Sequence, residues 1–247
     1  MADISNIDYD TLVSGASQIA SKADEMQNKI KSAFDAIEAM SEHWFGNSYD
    51  NFINVVNMSI TNLNKMFEIT VSDIPHEIYA KAKSYAYSQQ TEVSASFTDQ
   101  TALTLTDLAK TNKGTKLRFQ SENISADQTT INGYFEDAAT AADEAKTIAT
   151  NLKDDWKSIS GDTNIAELKT AFNTVKTVVN NLKTSLSDQI TAQEATISAL
   201  ETAADAVEAA KDAAESTVEN VQEAATNAVQ NIKESASQLW TNLTGGN

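Results

Sequence analysis

An apolar stripe with heptad spacing runs through the N-terminal part of the chain and ends at a tryptophan. Its members follow one another at alternating spacings of four and three residues: Leu12, Ala16, Ile19, Ala23, Met26, Ile30, Ala33, Ile37, Met40 and Trp44. This spacing is typical of a helix that packs along its length against another helix. Asp8 and Asp10 lie at the predicted helix start, where the helix dipole favours negative charge. The sequence Trp44-Phe45-Gly46-Asn47 predicts the helix end, because Gly and Asn tolerate the backbone conformations found there.

A second heptad stripe begins directly after this turn. Its members are Phe52, Val56, Ile60, Leu63, Phe67 and Val71. Ser48 is the predicted N-cap, and so short a connection predicts that the two helices run antiparallel. Pro75 is expected to kink or restart the second helix.

The same design is found again around a second tryptophan, Trp156. Apolar residues precede it by the steps at which apolar residues precede Trp44: Ile131, Phe135, Ala138, Ala142, Ala145, Ala149 and Leu152. A turn containing Gly161 follows, and then another stripe: Ile165, Leu168, Phe172, Val175, Val179, Leu182 and Leu186. We interpret this pattern as an internal duplication of one helix hairpin. The predicted fold is all-α, with two tandem antiparallel hairpins forming a four-helix bundle.

The segment between the two copies is less helical in character. Residues 102–106 and 116–120 alternate apolar and polar side chains, as a strand does, and Asn112-Lys113-Gly114 supplies a turn between them. The segment therefore predicts either a small β-hairpin over 102–119 or a loose linker with one short helix. The helix of the second copy is predicted to start at Ser125, with Gln128 as its capping-box partner.

The C-terminal arm, residues 201–247, carries apolar residues every eleven positions. One series is Val207, Val218, Val229 and Trp240, and a second is Ala210, Val221, Ile232 and Leu243. An eleven-residue period keeps an apolar stripe on one side of a nearly straight helix. One helix over 163–242 and a break at 191–198 that folds the arm back onto the bundle both remain open. The stripe is then either buried core or a partner-binding face.

These patterns divide the chain into four segments. They are a first hairpin (1–92), a linker (93–124), a second hairpin (125–200) and an acidic amphipathic C-terminal helix (201–247). The chain has 35 acidic and 18 basic residues, a net charge of −17. This charge disfavours nucleic acid and anionic membranes as partners. No apolar run is long enough for a transmembrane helix, and no basic and apolar start indicates a Sec signal peptide.

No residue pattern points to chemistry. The two histidines, His43 and His76, lack partners at metal-ligand spacing, and there is no cysteine. The carboxylates fall on the polar faces of predicted helices, where solvation explains them. We therefore expect no enzyme activity and no catalytic, cofactor-binding or metal-binding residues.

The first 90 or so residues resemble the Trp-x-Gly family of type VII secretion substrates, small helical hairpins of the ESAT-6-like kind. The resemblance rests on Trp44-Phe45-Gly46 at the turn between two long heptad helices. The second copy, with Trp156 and Gly161, fits more loosely. The resemblance implies a bundle of two hairpins, usually a dimer, exported folded from Gram-positive bacteria by a membrane ATPase. With both hairpins in one chain, we expect a monomer that makes this dimer internally.

The chain departs from the family at its export signal. Family members commonly carry Tyr-x-x-x-Asp/Glu after the second helix, whereas Tyr79, Tyr85 and Tyr87 lack an acidic residue four positions later. Export is expected to use another signal, such as the tail around Trp240 and Leu243, or a partner.

The predicted function is that of a non-enzymatic interaction protein, secreted or at the cell surface, acting as a type VII substrate, carrier or effector. The expected partners are the secretion ATPase or another helical substrate. The alternatives are a helical pore-forming toxin, with residues 102–119 as a membrane-inserting tongue, and a purely structural coiled-coil protein. The polar content of that segment makes it a poor insertion element.

Overall fold

The structure is a computed structural model that describes residues 8–111, 113, 116–155 and 159–244. The elements, in chain order, are α1 (Tyr9–Met40), β1 (Trp44–Phe45), α2 (Asn47–Phe67), a π-helical segment (Glu68–Asp73), α3 (Ile74–Ser88), β2 (Arg118–Phe119), α4 (Ser121–Asp155) and α5 (Ile159–Thr244). The two strands pair only with each other. The predicted all-α class with a long C-terminal helix is confirmed.

Helices α1 and α4 pack antiparallel along most of their length. Ion pairs join Lys22 to Glu144 at 2.7 Å and Lys29 to Asp137 at 2.8 Å. A residue later in α1 therefore meets a residue earlier in α4, as antiparallel helices require. The helices approach closely where Gly15 meets Leu152, because a Cβ on Gly15 would lie 2.5 Å from Leu152 Cδ2. The alanines of α4 likewise leave room for the larger side chains of α1.

The remaining helices complete an antiparallel four-helix bundle. Helices α4 and α5 are joined by Lys183 Nζ to Glu136 Oε1 at 2.7 Å and by Lys146 Nζ to Asn173 Oδ1 at 2.9 Å. Helix α2 meets α5 where the Ser48 hydroxyl donates to the Gln193 side chain. Each helix therefore runs antiparallel to the two beside it.

The four heptad stripes form one hydrophobic core. Every described member is buried, and none is more than 6% exposed. Burying each Val, Leu, Ile, Phe or Met side chain among them contributes about 1.5–3 kcal/mol. The predicted helix faces are therefore confirmed from α1 to α5. The start of α1 is also as expected, because the Asp8 side chain accepts from the Thr11 N–H at 3.0 Å and caps the helix.

Several predicted helix ends are wrong by a few residues. Helix α1 ends at Met40, before the turn, and the N-cap of α2 is Gly46, which places Ser48 inside the helix. Helix α4 begins at Ser121 and not at Ser125. Its start is earlier because the Ile124 N–H already bonds to the Gln120 carbonyl at 2.9 Å, directly after strand β2.

Pro75 does not break the second helix, and the predicted restart is wrong, because residues 47–88 are helical throughout. The backbone widens into π-helical hydrogen bonding over Glu68–Asp73, and Pro75 lies in the first turn of α3. A proline lacks a backbone N–H and its ring crowds the preceding turn, and the π-helical hydrogen bonding directly before Pro75 makes that turn wider.

The predicted β-hairpin over 102–119 is wrong, and so is the predicted short helix. No described residue from 91 to 111 belongs to a helix or a strand. Residues 118–119 do form a strand, but it pairs with Trp44–Phe45 of the first turn. The alternation at 102–106 has another cause, which is the binding of this segment to helix side chains.

Helix α5 continues through residues 191–198, so the predicted break is wrong. The chain divides into one unit that ends at Gln193 and another that begins at Glu194. In the second unit the described apolar residues of the eleven-residue stripe are exposed, with Val207 at 69% and Ile232 at 68%. For these residues the interpretation as buried core is wrong.

No helix in the described part of the chain is both long enough and apolar enough to cross a membrane.

Candidate interaction surface at the tryptophan turn

The turn between α1 and α2 is built around a fully buried tryptophan. The Trp44 ring meets Tyr49 and Phe119 edge to face, with centroids 5.5 and 6.2 Å away. Its indole N–H donates to the Ser48 hydroxyl at 3.3 Å. Because Ser48 in turn donates to Gln193, the turn of the first hairpin is tied to helix α5 of the second.

Gly46 makes the chain reversal possible. Its φ of +132° and ψ of −173° lie in a region that only glycine occupies readily. A Cβ there would also lie 2.9 Å from Leu117 Cδ1. The glycine of the Trp-x-Gly sequence is therefore required by this backbone, whatever else it does.

Tyr49 of α2 joins the two helices of the first hairpin from within the core, a role that the sequence analysis missed. Its hydroxyl donates to the Ile37 carbonyl at 2.9 Å. The side chain is buried, and this burial raises the pKa of the phenol. A tyrosine five residues after the turn tryptophan was the available signal.

The start of α4 is fastened to the same turn. Trp44 pairs with Phe119, and Phe45 pairs with Arg118, in the two-residue sheet. His43 Nδ1 lies 2.7 Å from Asp127 Oδ2 on α4. The histidine is therefore a structural link between the hairpins.

Residues 93–111, here called the strap, run extended from the start of α1 to the start of α2. Two asparagines of α2 hold the middle of the strap by its backbone. Asn64 bonds to both the N–H and the carbonyl of Leu105, at 2.8 and 3.0 Å. Asn57 does the same for Leu108, at 2.9 and 3.0 Å. Each side-chain amide makes the two hydrogen bonds that the backbone of a neighbouring β-strand would otherwise make.

Gln27 of α1 also binds the backbone of the strap. Its side chain accepts from the Leu103 N–H at 2.8 Å and donates to the Thr101 carbonyl at 2.9 Å. Gln27 is completely buried. Two helices therefore bond to the backbone of the strap, because α1 holds residues 101 and 103 and α2 holds 105 and 108.

Aspartates hold the two ends of the strap. Asp10 accepts hydrogen bonds from the N–H groups of Ser94 and Ala95 at 2.7 and 2.8 Å. The bond from Ala95 makes the largest contribution to lowering the pKa of the Asp10 carboxyl, and the bonds from Ser94 lower it further. Asp50 accepts from the Thr111 N–H at 2.9 Å and from its hydroxyl at 3.0 Å.

Apolar side chains of the strap complete its attachment. Leu105 is buried in the core, and the Phe97 ring stacks on Tyr79 with centroids 4.8 Å apart. His76 meets the same two rings edge to face, and its Nδ1 lies 2.9 Å from Asp99 Oδ1.

A cleft of about 810 Å³ lies beside the turn, where the strap ends. Its cationic lining comes from Lys110, Lys113, Lys116 and Arg118, and we call it the basic cleft. Two of these cations approach the Phe45 ring, with the Arg118 guanidinium 5.2 Å and the Lys113 Nζ 6.0 Å from the ring centroid. Arg118 Nη1 also donates to the Glu42 carbonyl at 2.8 Å.

The structure brings only part of the predicted site together. Trp44 and Gly46 form the turn described above. Gly161 was predicted to lie in the turn between the helices of the second hairpin, and this is wrong, because α5 begins at Ile159 and includes it. Trp240 and Leu243 lie in the last helical turns of α5. Trp156 is outside the described residues. The sequence analysis assigned no role to the basic cleft. The available signal was the presence of four cations within the nine residues 110–118 of an acidic chain.

Within the described ranges, no three His, Asp or Glu side chains converge in a way that could hold a metal ion. No family model, no curated protein and no solved structure matches the chain.

Proposed function

We propose that this chain is a non-enzymatic secreted interaction protein, exported as a folded helical bundle by a type VII secretion machine. The observation that carries the proposal is the turn itself. Trp44 is the buried anchor at the end of a long antiparallel hairpin, and Gly46 adopts a conformation that other residues avoid. This is the arrangement that the resemblance to the Trp-x-Gly family implies.

The internal pairing of two hairpins supports the same function. Family members usually pair two hairpins between subunits, whereas here α1 packs against α4 within one chain. The predicted partners are the secretion ATPase and a second helical substrate. We expect light scattering to give the mass of a single chain. An obligate dimer in which each hairpin pairs with a hairpin of another chain would contradict the internal pairing.

The test of export is the appearance of the protein in the culture medium of its native bacterium. We expect export in the parent strain and loss of export when the secretion ATPase is deleted, with a cytoplasmic enzyme as the control for lysis. Retention of the protein in both strains would refute the proposal.

Two matched pairs of substitutions test the export signal. Trp240→Ala with Leu243→Ala should abolish export, whereas Thr241→Ala with Asn242→Ala should leave it unchanged. Both pairs lie in the last turns of α5. Equal export of the two variants would place the signal elsewhere or in a partner.

A leakage assay tests the pore-forming alternative. We expect dye-loaded liposomes to stay sealed at neutral and at acidic pH, because the bundle buries its apolar stripes and residues 102–111 are part of the strap. Dye release would favour the toxin.

A further inference from the structure

We propose that the basic cleft binds a short acidic peptide segment of a partner protein. The first argument is the contrast between its cations and those of the bundle. Lys22, Lys29 and Lys183 each form an ion pair with a carboxylate on a neighbouring helix. None of the four cations of the basic cleft forms an ion pair with a residue that the structure describes.

The second argument is the charge of the whole chain. A protein with a net charge of −17 has 18 basic residues, and four of them lie at this cleft. Like charges repel one another, and a bound anion would relieve the repulsion among these four cations. The cleft therefore gathers four cations, none of which forms an ion pair with a described residue, on a strongly acidic protein.

The third argument is the aromatic ring at its centre. Phe45 is half-buried and keeps Lys113 and Arg118 on its faces through cation–π contacts. Arg118 also donates to the Glu42 carbonyl, so the guanidinium has a fixed position. A carboxylate can bond to such a fixed fork through two oxygens, while an apolar side chain beside it covers the ring.

The acidic residues of the cleft limit the length of the ligand. Glu38 and Glu42 line it together with the four cations, which leaves a surplus of two positive charges. A long polyanion such as a nucleic acid would reach beyond the cleft and meet the acidic body of the protein. A short segment with two or three carboxylates and one apolar residue fits both the charge and the ring.

This inference gives the proposed interaction function a partner chemistry, but it does not depend on export. Binding is measured with the purified full chain, so its failure would leave secretion untouched, and failed secretion would leave binding untouched. The probe is a short labelled peptide of Asp, Glu, Leu and Gly, followed by fluorescence anisotropy. Its amide counterpart, with Asn and Gln in place of Asp and Glu, is the control ligand.

The test variant is Lys110→Gln, Lys113→Gln and Lys116→Gln together. Arg118 is kept because it belongs to strand β2. The matched control removes the same charge elsewhere in the bundle, by Lys65→Gln, Lys83→Gln and Lys169→Gln. We expect the test variant to lose at least about tenfold in affinity for the acidic peptide and the control variant to bind as the parent does. Raising NaCl from about 0.1 M to about 0.5 M should weaken binding.

Three results would overturn the proposal. One is equal weakening by the test and control variants, which would make the attraction a property of overall charge. Another is equal binding of the amide peptide. The third is tighter binding of duplex DNA or of anionic lipid vesicles than of the peptide, which would assign the cleft to another class of partner. Circular dichroism shows whether each variant keeps its helical fold.

Discussion

The amide of Asn64 bonds to both backbone polar groups of Leu105. Oδ1 accepts the N–H at 2.8 Å, and Nδ2 donates to the carbonyl at 3.0 Å. In a β-sheet, the backbone N–H and carbonyl groups of an extended chain bond to the backbone of the neighbouring strand. In this bundle they bond to side chains of the helices. The strap can therefore stay extended without a sheet, and it leads the chain from the first hairpin to the basic cleft.

Replacing Asn64 by alanine should destabilise the protein. The substitution removes both partners of Leu105, whose side chain is buried, and an unpaired buried backbone group costs about 1–3 kcal/mol. Urea unfolding measures the loss. Asn62→Ala on the same helix is the control, because Asn62 is exposed and should change stability by less than about 0.5 kcal/mol. Equal losses would contradict the role of the strap.

The sequence predicted the helices because heptad spacing is a local signal. It did not predict the strap, because its anchors are ordinary polar residues of predicted helices. Nothing in the positions of Gln27, Asn57 and Asn64 distinguishes them from solvated side chains. The alternation at 102–106 indicated extended backbone correctly, yet its partners lie 41 and 76 residues away along the chain. Only the tertiary structure shows them.

The same limit applies to the turn and to the arm. Trp44 and Gly46 were recognised from the residues, but the contribution of Phe119 comes from a strand 74 to 75 residues later. In the arm the eleven-residue period predicted the helix correctly. A period does not show whether a stripe is covered, because buried and exposed stripes have the same spacing.

Alanine substitutions at two glycines should have opposite effects. Gly46→Ala should cost roughly 1–3 kcal/mol, because its backbone conformation is strained for any residue with a Cβ. Gly133→Ala should stabilise by about 0.5–1 kcal/mol, because Gly133 lies inside α4 and a Cβ there meets nothing within 4 Å. Thermal unfolding followed by circular dichroism compares them. A neutral Gly46→Ala would show that the turn tolerates a side chain.

Acid should release the N-terminal end of the strap. The N–H groups of Ala95 and Ser94 and the Ser94 hydroxyl lower the pKa of Asp10 in the folded protein. A group whose pKa is lowered by folding contributes stability above its ordinary value, and this contribution is lost as the pH falls through the folded value. The amide NMR signals of Ser94 and Ala95 should therefore move as the pH falls below about 4.

The variant Asp10→Asn should remove this pH dependence at Ser94 and Ala95. Asp35→Asn is the matched control on the same helix, because Asp35 pairs with Lys31 and does not touch the strap. In the control variant the amide NMR signals of Ser94 and Ala95 should move with pH as they do in the parent protein. A persistent titration in Asp10→Asn would assign the pH response to another carboxyl group.

Removing the C-terminal arm should leave the bundle as stable as before. The described buried residues end at Gln193, and the described valine and isoleucine side chains beyond Leu200 are more than half exposed. A chain that ends at Leu200 therefore keeps every described core residue, and its urea midpoint should match that of the full chain.

A chain that ends at Val179 is the control. It lacks Leu182, Leu186 and Ile190, and losing each of these buried side chains costs about 1.5–3 kcal/mol, so it should unfold at much lower urea. A lowered midpoint for the chain that ends at Leu200 would mean that the arm contributes to folding. An unchanged midpoint would leave its exposed stripe free for the partner-binding role that the sequence left open.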